Sequence, residues 1–250
     1  MRGRVIRGLR AAADILLPRV CIVCGRKLLL QEEHMCLFCQ SDIPLTRFSM
    51  FKHNPMADRF NEVIQRRLNV YENPVYEKYA YALSLFFYDA DSAYRHIPYQ
   101  IKYHGNLSAG QHFGAMLGHE VASAPWMEDI DVIIPVPLHW RRRWVRGYNQ
   151  AEVIARAVSK ITEVPVRTDI LTRRRYTRTQ TKMDVPQKRE NVDGAFYATH
   201  PADASFRHIL IVDDIFTSGS TLGACFWALR EVFPPSVRIS VATLGFVGGV

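Results

Sequence analysis

The stretch that decides the fold is Ile209–Thr221, ILIVDDIFTSGST. Ile209 to Val212 are continuously apolar and read as a strand buried on both faces, and Leu222, Cys225, Phe226, Leu229 and Val232 then recur at helical spacing. Between strand and helix stand two adjacent carboxylates, Asp213 and Asp214, and a turn of hydroxyls and glycine, Thr217, Ser218, Gly219, Ser220 and Thr221. Backbone N–H groups, hydroxyls and the positive end of a helix dipole suit one phosphate. A carboxylate beside that phosphate would repel it unless it faced another part of the ligand, and the vicinal hydroxyls of a ribose are donors that two carboxylates can accept. The plain alternative is an acidic turn that only caps the next helix. No G-x-x-x-x-G-K-[ST] occurs in the chain, so nucleotide hydrolysis by a P-loop is unsupported.

Outward from this stretch, Val132–Val136 reads as a second buried strand, Tyr79–Tyr88 as an earlier one and Val237–Leu244 as a last one. Helical patterns fall between them: Ala90–Tyr103, interrupted at Pro98, then Leu107–Val121, then a helix capped by Asn149 with Glu152 as its capping-box partner. Near-continuous apolar strands separated by helices predict an α/β fold with a mostly parallel sheet flanked by helices. In such sheets ligands bind at the carboxyl ends of the strands, which puts the acidic pair and the loop after Val136 on one edge.

Upstream, CIVCGRKLLLQEEHMCLFC places Cys21 and Cys24, then Cys36 and Cys39, as two knuckles with two residues inside each. This spacing turns four thiolates toward one ion, and four thiolates close a structural Zn²⁺ site. Disulfides are the alternative, disfavoured because no secretory signal is apparent. Cys225 sits among apolar residues at helical spacing and reads as core. The expected organisation is a helix and zinc module over 1–45, a helical connector over 46–78 and a ligand-binding domain over 79–250.

The chain of 250 residues has 48% hydrophobic and 22% charged residues, as a globular protein does. No apolar run approaches the roughly 20 residues of a membrane span. The first 20 residues set Arg2, Arg4, Arg7 and Arg10 beside apolar positions, a basic helical face that fits a solvated surface or an anionic membrane. A cytoplasmic location, with peripheral contact at the inner membrane face as the variant, is expected. The net charge of +8 favours phosphorylated partners and is concentrated in Arg141, Arg142, Arg143 and Arg146 and in the segment from Arg173 to Arg189. Trp140, Trp144, Tyr148 and Tyr176 among these arginines suit either stacking on single-stranded bases or, as the more common arrangement, packing into the domain.

Ile209–Thr221 resembles the phosphoribosyl-pyrophosphate (PRPP) signature of type I phosphoribosyltransferases, with Phe216 in place of the usual aliphatic residue. KYHGN at 102–106, PVPLHWRRRWVRGYNQ at 135–150, LTRRRYTRTQ at 171–180 and the cysteine module narrow the resemblance to the ComF family, a zinc ribbon joined to a phosphoribosyltransferase domain. The resemblance implies that Asp213 and Asp214 hold the ribose and Thr217 to Thr221 the 5′-phosphate. It further implies Lys102 and Arg146 as pyrophosphate contacts, a loop after Val136 often bearing a cis bond, and Mg²⁺ bound with PRPP. Arg173, Thr177, Gln180 and Arg189 fall on the mobile loop that closes over such a site. Implied partners are PRPP or a related ribose phosphate, single-stranded DNA and the competence machinery, and the implied reaction moves phosphoribose to an amine or nucleobase.

Overall fold

The computed structural model describes residues 18–69, 76–173, 194–201 and 205–248. Its centre is a four-stranded parallel sheet in the order β1 (Ala82–Phe87), β6 (Arg238–Phe246), β5 (His208–Phe216), β2 (Val132–Pro135). Val132, Ile133, Ile134, Ile209, Ile211 and Val212 are all fully buried, as the uninterrupted apolar runs require of strands covered on both faces. The strand expected at Ile209–Val212 continues to Phe216, because β6 pairs with it through Asp213, Ile215 and Phe216. Both carboxylates thus stand on a central strand and not in a loop.

Helices α1 (Leu37–Asp42), α2 (Pro55–Leu68), α3 (His96–Tyr103), α4 (Leu107–Ala122), α5 (Trp140–Arg146), α6 (Gln150–Thr162) and α7 (Ser220–Arg230) complete the described structure, with an antiparallel pair β3 (Leu171–Arg173) and β4 (Phe196–Ala198). α4 and α6 pack unusually closely. Gly110, Gly114 and Gly118 form a stripe at every fourth residue of α4, and a Cβ at Gly114 would stand 2.7 Å from the Ala157 Cβ of α6. In the segment 46–78, α2 buries Met56, Ala57, Phe60, Ile64 and Leu68, and Phe60 packs edge-on against Phe216 and Phe226.

Pro98 does not interrupt its helix. A short 3₁₀ turn at Ala93–Arg95 precedes α3, so Pro98 falls in the first turn, where the missing N–H would have had no partner. Asn149 caps α6 by accepting from the Ala151 N–H, but the capping-box partner differs: Glu152 pairs with Arg156 at 2.7 Å. Among the described residues there is no cis peptide bond, so the bond expected after Val136 is trans.

Candidate functional site

The carboxyl ends of β2, β5 and β6 define one edge of the sheet, and three loops and a helix converge there. Asp214 is 5% exposed. Its Oδ1 lies 3.1 Å from Lys102 Nζ, supplied by the last turn of α3, while its Oδ2 is buried with no hydrogen-bond partner. An orphaned buried carboxylate oxygen is costly, and the donor or cation it lacks is what a ligand would bring. Asp213 Oδ1 accepts from the Asp214 N–H at 2.8 Å. Burial and the adjacent Asp214 push its carboxyl up to about 7, with Lys102 and Arg173 pulling the other way. Burial alone would lower Lys102, but Asp214 and Asp213 more than offset it and hold the ammonium above its ordinary value.

Beyond β5, Gly219 has φ +77° and caps α7, a conformation that glycine adopts without strain. A Cβ there would meet the Phe216 ring at 2.9 Å, so the aromatic residue at 216 is accommodated by packing under the glycine turn and against Phe246. Thr217 and Ser218 are exposed, Ser218 and Ser220 share a hydrogen bond at 2.9 Å, and Thr221 lies in the first turn of α7. The hydroxyl residues and the acidic pair are therefore neighbours at the end of β5.

The loop after β2 carries α5. Its residues have no buried member: Trp144 is 81% and Val145 88% exposed, and Trp140 is also exposed. The expectation that these tryptophans pack into the domain is thereby overturned, because a seven-residue helix opened by His139 and closed by Gly147 at φ +78° stands off the surface. Arg146 donates to Gln150 at 3.2 Å and lies 5.1 Å over the Tyr103 ring. Tyr148 donates to the Ile101 carbonyl, tying the α5–α6 junction to α3. Lys102, Tyr103, Arg141, Arg142, Arg146 and Tyr148 enclose a cleft of about 630 Å³. Arg173, at the end of β3, stacks on Phe196. Burial and Arg142 lower it from its ordinary value, while Cys225 and Asp213 act oppositely, so it belongs to the same charged neighbourhood. Thr177, Gln180 and Arg189 lie outside the described residues. Cys225 is fully buried, as expected of a core thiol.

The cysteine module is a separate centre. The Sγ atoms of Cys21, Cys24, Cys36 and Cys39 all lie within 4.8 Å of one another, with Cys24 and Cys36 at 3.8 Å. Four sulfurs at about 2.3 Å from a tetrahedral ion stand about 3.8 Å apart, so the cluster can hold a metal. Backbone N–H groups of Cys36 and Cys39 donate to Cys21 and Cys36 sulfurs at 3.4 and 3.5 Å. Burial opposes ionisation of Cys36, yet these hydrogen bonds from Cys39 and the neighbouring thiols bring it down to about 7. His34 is not in this cluster; its ring faces His112 of α4, with centroids 5.4 Å apart. Tyr94 fastens the module to the sheet domain by donating to the Cys39 carbonyl at 3.0 Å.

Residues 146–244, which include the acidic pair and the hydroxyl-rich helix start, match the phosphoribosyl transferase domain family. Competence protein F of Haemophilus influenzae is 34% identical over 110 residues, 44% of this chain and 48% of that protein. The DNA utilization protein YhgH of Escherichia coli O157:H7 is 38% identical over 92 residues, 37% of this chain and 40% of that protein. That of Salmonella typhi is 34% identical over 92 residues. The chain thus spans about half, or less, of the length of the curated relatives it matches. Among the described residues no helix is long and apolar enough to cross a membrane.

The four cysteines, the acidic pair and the hydroxyl loop were all legible from local spacing. Tyr88 and Tyr99 were not singled out, although both lie beside Lys102. The signal available was Tyr99 and Tyr103 one helical turn apart, flanking the lysine.

Proposed function

We propose that the cleft binds PRPP or a related ribose phosphate, with Mg²⁺, and that the protein serves DNA uptake. In this reading Asp213 and Asp214 accept the ribose hydroxyls, and Thr217, Ser218, Gly219, Ser220 and Thr221 hold the 5′-phosphate. Lys102 and Arg146 meet the pyrophosphate. The observation that carries the reading is the orphaned, buried Asp214 Oδ2, which a ribose hydroxyl or a divalent cation would satisfy. The donor set also fits Mg²⁺, which prefers oxygen ligands and substrate phosphates; bound there it would neutralise charge on the leaving pyrophosphate. The chain's own residues orient the ribose and supply cations where that charge develops. Arg173, with Thr177, Gln180 and Arg189 on the segment beyond it, would complete the enclosure when ligand is present. Residues 79–250 then form the ligand-binding domain, 46–78 its connector and 1–45 a module organised around Zn²⁺.

The test is a thermal melt with PRPP and Mg²⁺. At 100 times Kd the ligand stabilises by about 2.7 kcal/mol. The double substitution Asp213→Asn with Asp214→Asn should abolish the rise; no rise in the wild type would overturn the site. Metal analysis of the purified protein should give one zinc per chain.

A second reading concerns the reaction. The acidic pair, the hydroxyl turn after it and the basic residues beside it favour transfer of phosphoribose to an amine or nucleobase, read out as pyrophosphate release. The exposed Trp140 and Trp144 amid arginines favour contact with single-stranded DNA. Such binding should weaken steeply with salt. Names of relatives that mention competence and DNA utilization support the uptake role. The expected location is cytoplasmic, at the inner membrane face when the basic N-terminal segment meets anionic lipid.

A further inference from the structure

The segment 46–78 reads as a connector in the sequence, yet α2 within it is built into the end of β5. Asn54 caps α2 and donates from Nδ2 to the Ala82 carbonyl at 2.9 Å. Asn61 exchanges two hydrogen bonds with the Ala80 backbone, at 2.8 and 2.9 Å. These two side chains fix α2 against β1 and the residues leading into it. One face of the helix then meets the hydroxyl turn. A Cβ at Gly219 would stand 3.3 Å, and one at Gly223 2.7 Å, from methyl groups of Val63, so the valine packs directly on the glycine that caps α7. Phe60 lies edge-on against Phe216, just before the turn. Arg59, one helical turn before Val63, extends over the Phe246 ring, with its Cζ 5.1 Å from the centroid, to the two strand ends. Its Nη1 donates to the Val247 carbonyl at 2.7 Å and reaches the Thr217 carbonyl at 3.5 Å, while the Val247 N–H donates to the Phe216 carbonyl at 2.9 Å. One guanidinium nitrogen therefore bridges the end of β6 to the first residue after β5.

We propose that Arg59 is the positioning residue of the hydroxyl turn, orienting its backbone N–H groups for the phosphate of a ribose 5-phosphate group. The inference rests on the ribose-phosphate reading of that turn and adds to it a residue outside the matched domain, residues 146–244. In a planar trans peptide the C=O and the following N–H point in opposite directions. Arg59 takes the Thr217 carbonyl on the α2 side, which turns the Ser218 N–H to the other side, and the described residues contain no cis bond that would reverse this. A turn of N–H donors binds an anion well when the donors converge before the ligand arrives; otherwise part of the binding free energy goes into ordering them. Thr217 to Thr221 include no lysine or arginine, so a guanidinium held against the first carbonyl also brings a positive charge that the turn itself lacks. Arginine suits the task because its planar fork is preorganised, whereas the ammonium of a lysine is a point charge on a flexible stem.

The experiment compares the full chain as wild type, Arg59→Met and Arg59→Lys, with ribose 5-phosphate and pyrophosphate as separate calorimetric probes in the presence of Mg²⁺. In Arg59→Met the affinity for ribose 5-phosphate should fall about tenfold, as removal of a hydrogen bond from a charged donor implies. Pyrophosphate, which the same reading places on Lys102 and Arg146, should bind unchanged and so show that the variant is folded. Arg59→Lys, which can keep a bond to the Val247 carbonyl, should recover most of the lost affinity. Hydrogen exchange without ligand is the second readout: amides of residues 217–221 should exchange faster in Arg59→Met, while those of β2 stay protected. Ribose 5-phosphate binding indifferent to Arg59→Met overturns the proposal and leaves the ribose-phosphate reading intact. Equal weakening of both probes, or faster exchange throughout the sheet, makes Arg59 a general staple of the fold and overturns it in the same way. A wild type that fails to bind ribose 5-phosphate sinks the ribose-phosphate reading, and the role of Arg59 with it.

Discussion

Two segments at the same sheet edge are built in opposite ways. The last residues of β5 carry a buried carboxylate answered from a distance, Asp214 by Lys102 of α3. The turn after β2 throws up α5, whose four arginines and two tryptophans ride on a helix with nothing buried. Buried charge is costly unless it is paired within hydrogen-bond distance, so the end of β5 is coupled to folding and to pH. Exposed charge costs little and is screened by salt, so the charges of α5 contribute little to stability.

The largest effect that separates the two should come from Lys102→Met. Removing one partner of a buried pair leaves the other unanswered, at about 3 kcal/mol, and Asp214 would then lose its one ion-pair partner among the described residues. At pH 8 the melting temperature should fall by roughly 6–12 °C for a domain of this size. A fall under 2 °C would show that the pair is solvated and that the contrast with α5 is only apparent.

The next effect is a pH dependence. The Asp213 carboxyl is raised above its ordinary value by burial and by Asp214, so the folded state holds its proton more tightly than the unfolded state. Stability from this group is fully present below the ordinary carboxylate range and is lost as pH rises through about 7. Asp213→Asn should therefore gain on the wild type between pH 4 and pH 7 and hold a constant lead above it, by a few °C in urea-free melts. Parallel curves from pH 4 to 8 would mean that the carboxyl titrates normally. Lys102, held above its ordinary value, loses its contribution only in the alkaline range and does not confuse this window.

How far the sequence discloses this architecture depends on the range of the interactions. The metal cluster is local: two residues between thiols suffice, and the sulfurs meet as the spacing predicts. The buried strands are legible because both faces are covered, which leaves no polar alternation. The end of β5 was misjudged for the same reason in reverse. Two carboxylates look like the end of a strand, and only their pairing with β6 and the reach of Lys102, distant in sequence, make them tenable there. Pro98 misled because its place in the first turn depends on where α3 begins, which the 3₁₀ turn before it sets. The cleft beside Lys102 is not legible locally, because Tyr88 and Tyr99 come together on it only across the sheet edge. The tryptophans of α5 were expected inside on general grounds, and nothing local distinguishes a ring that packs from one that waits for a partner.

The smallest predicted effect is therefore the sharpest test of the contrast. Trp144→Ala removes the largest side-chain type from a residue that is 81% exposed, next to Val145 at 88%. An exposed substitution away from caps and buried groups changes stability by less than about 0.5 kcal/mol, which for this size is under 2 °C. The ring's exposure has its own readout, since collisional quenching of tryptophan fluorescence by acrylamide should drop in the variant while that of the partly covered Trp126 and Trp227 persists. If the variant instead melts several degrees lower, Trp144 packs against protein in solution. α5 would then be part of the folded body in the same sense as the end of β5, and its arginines would have to be counted with the charges that folding fixes in place.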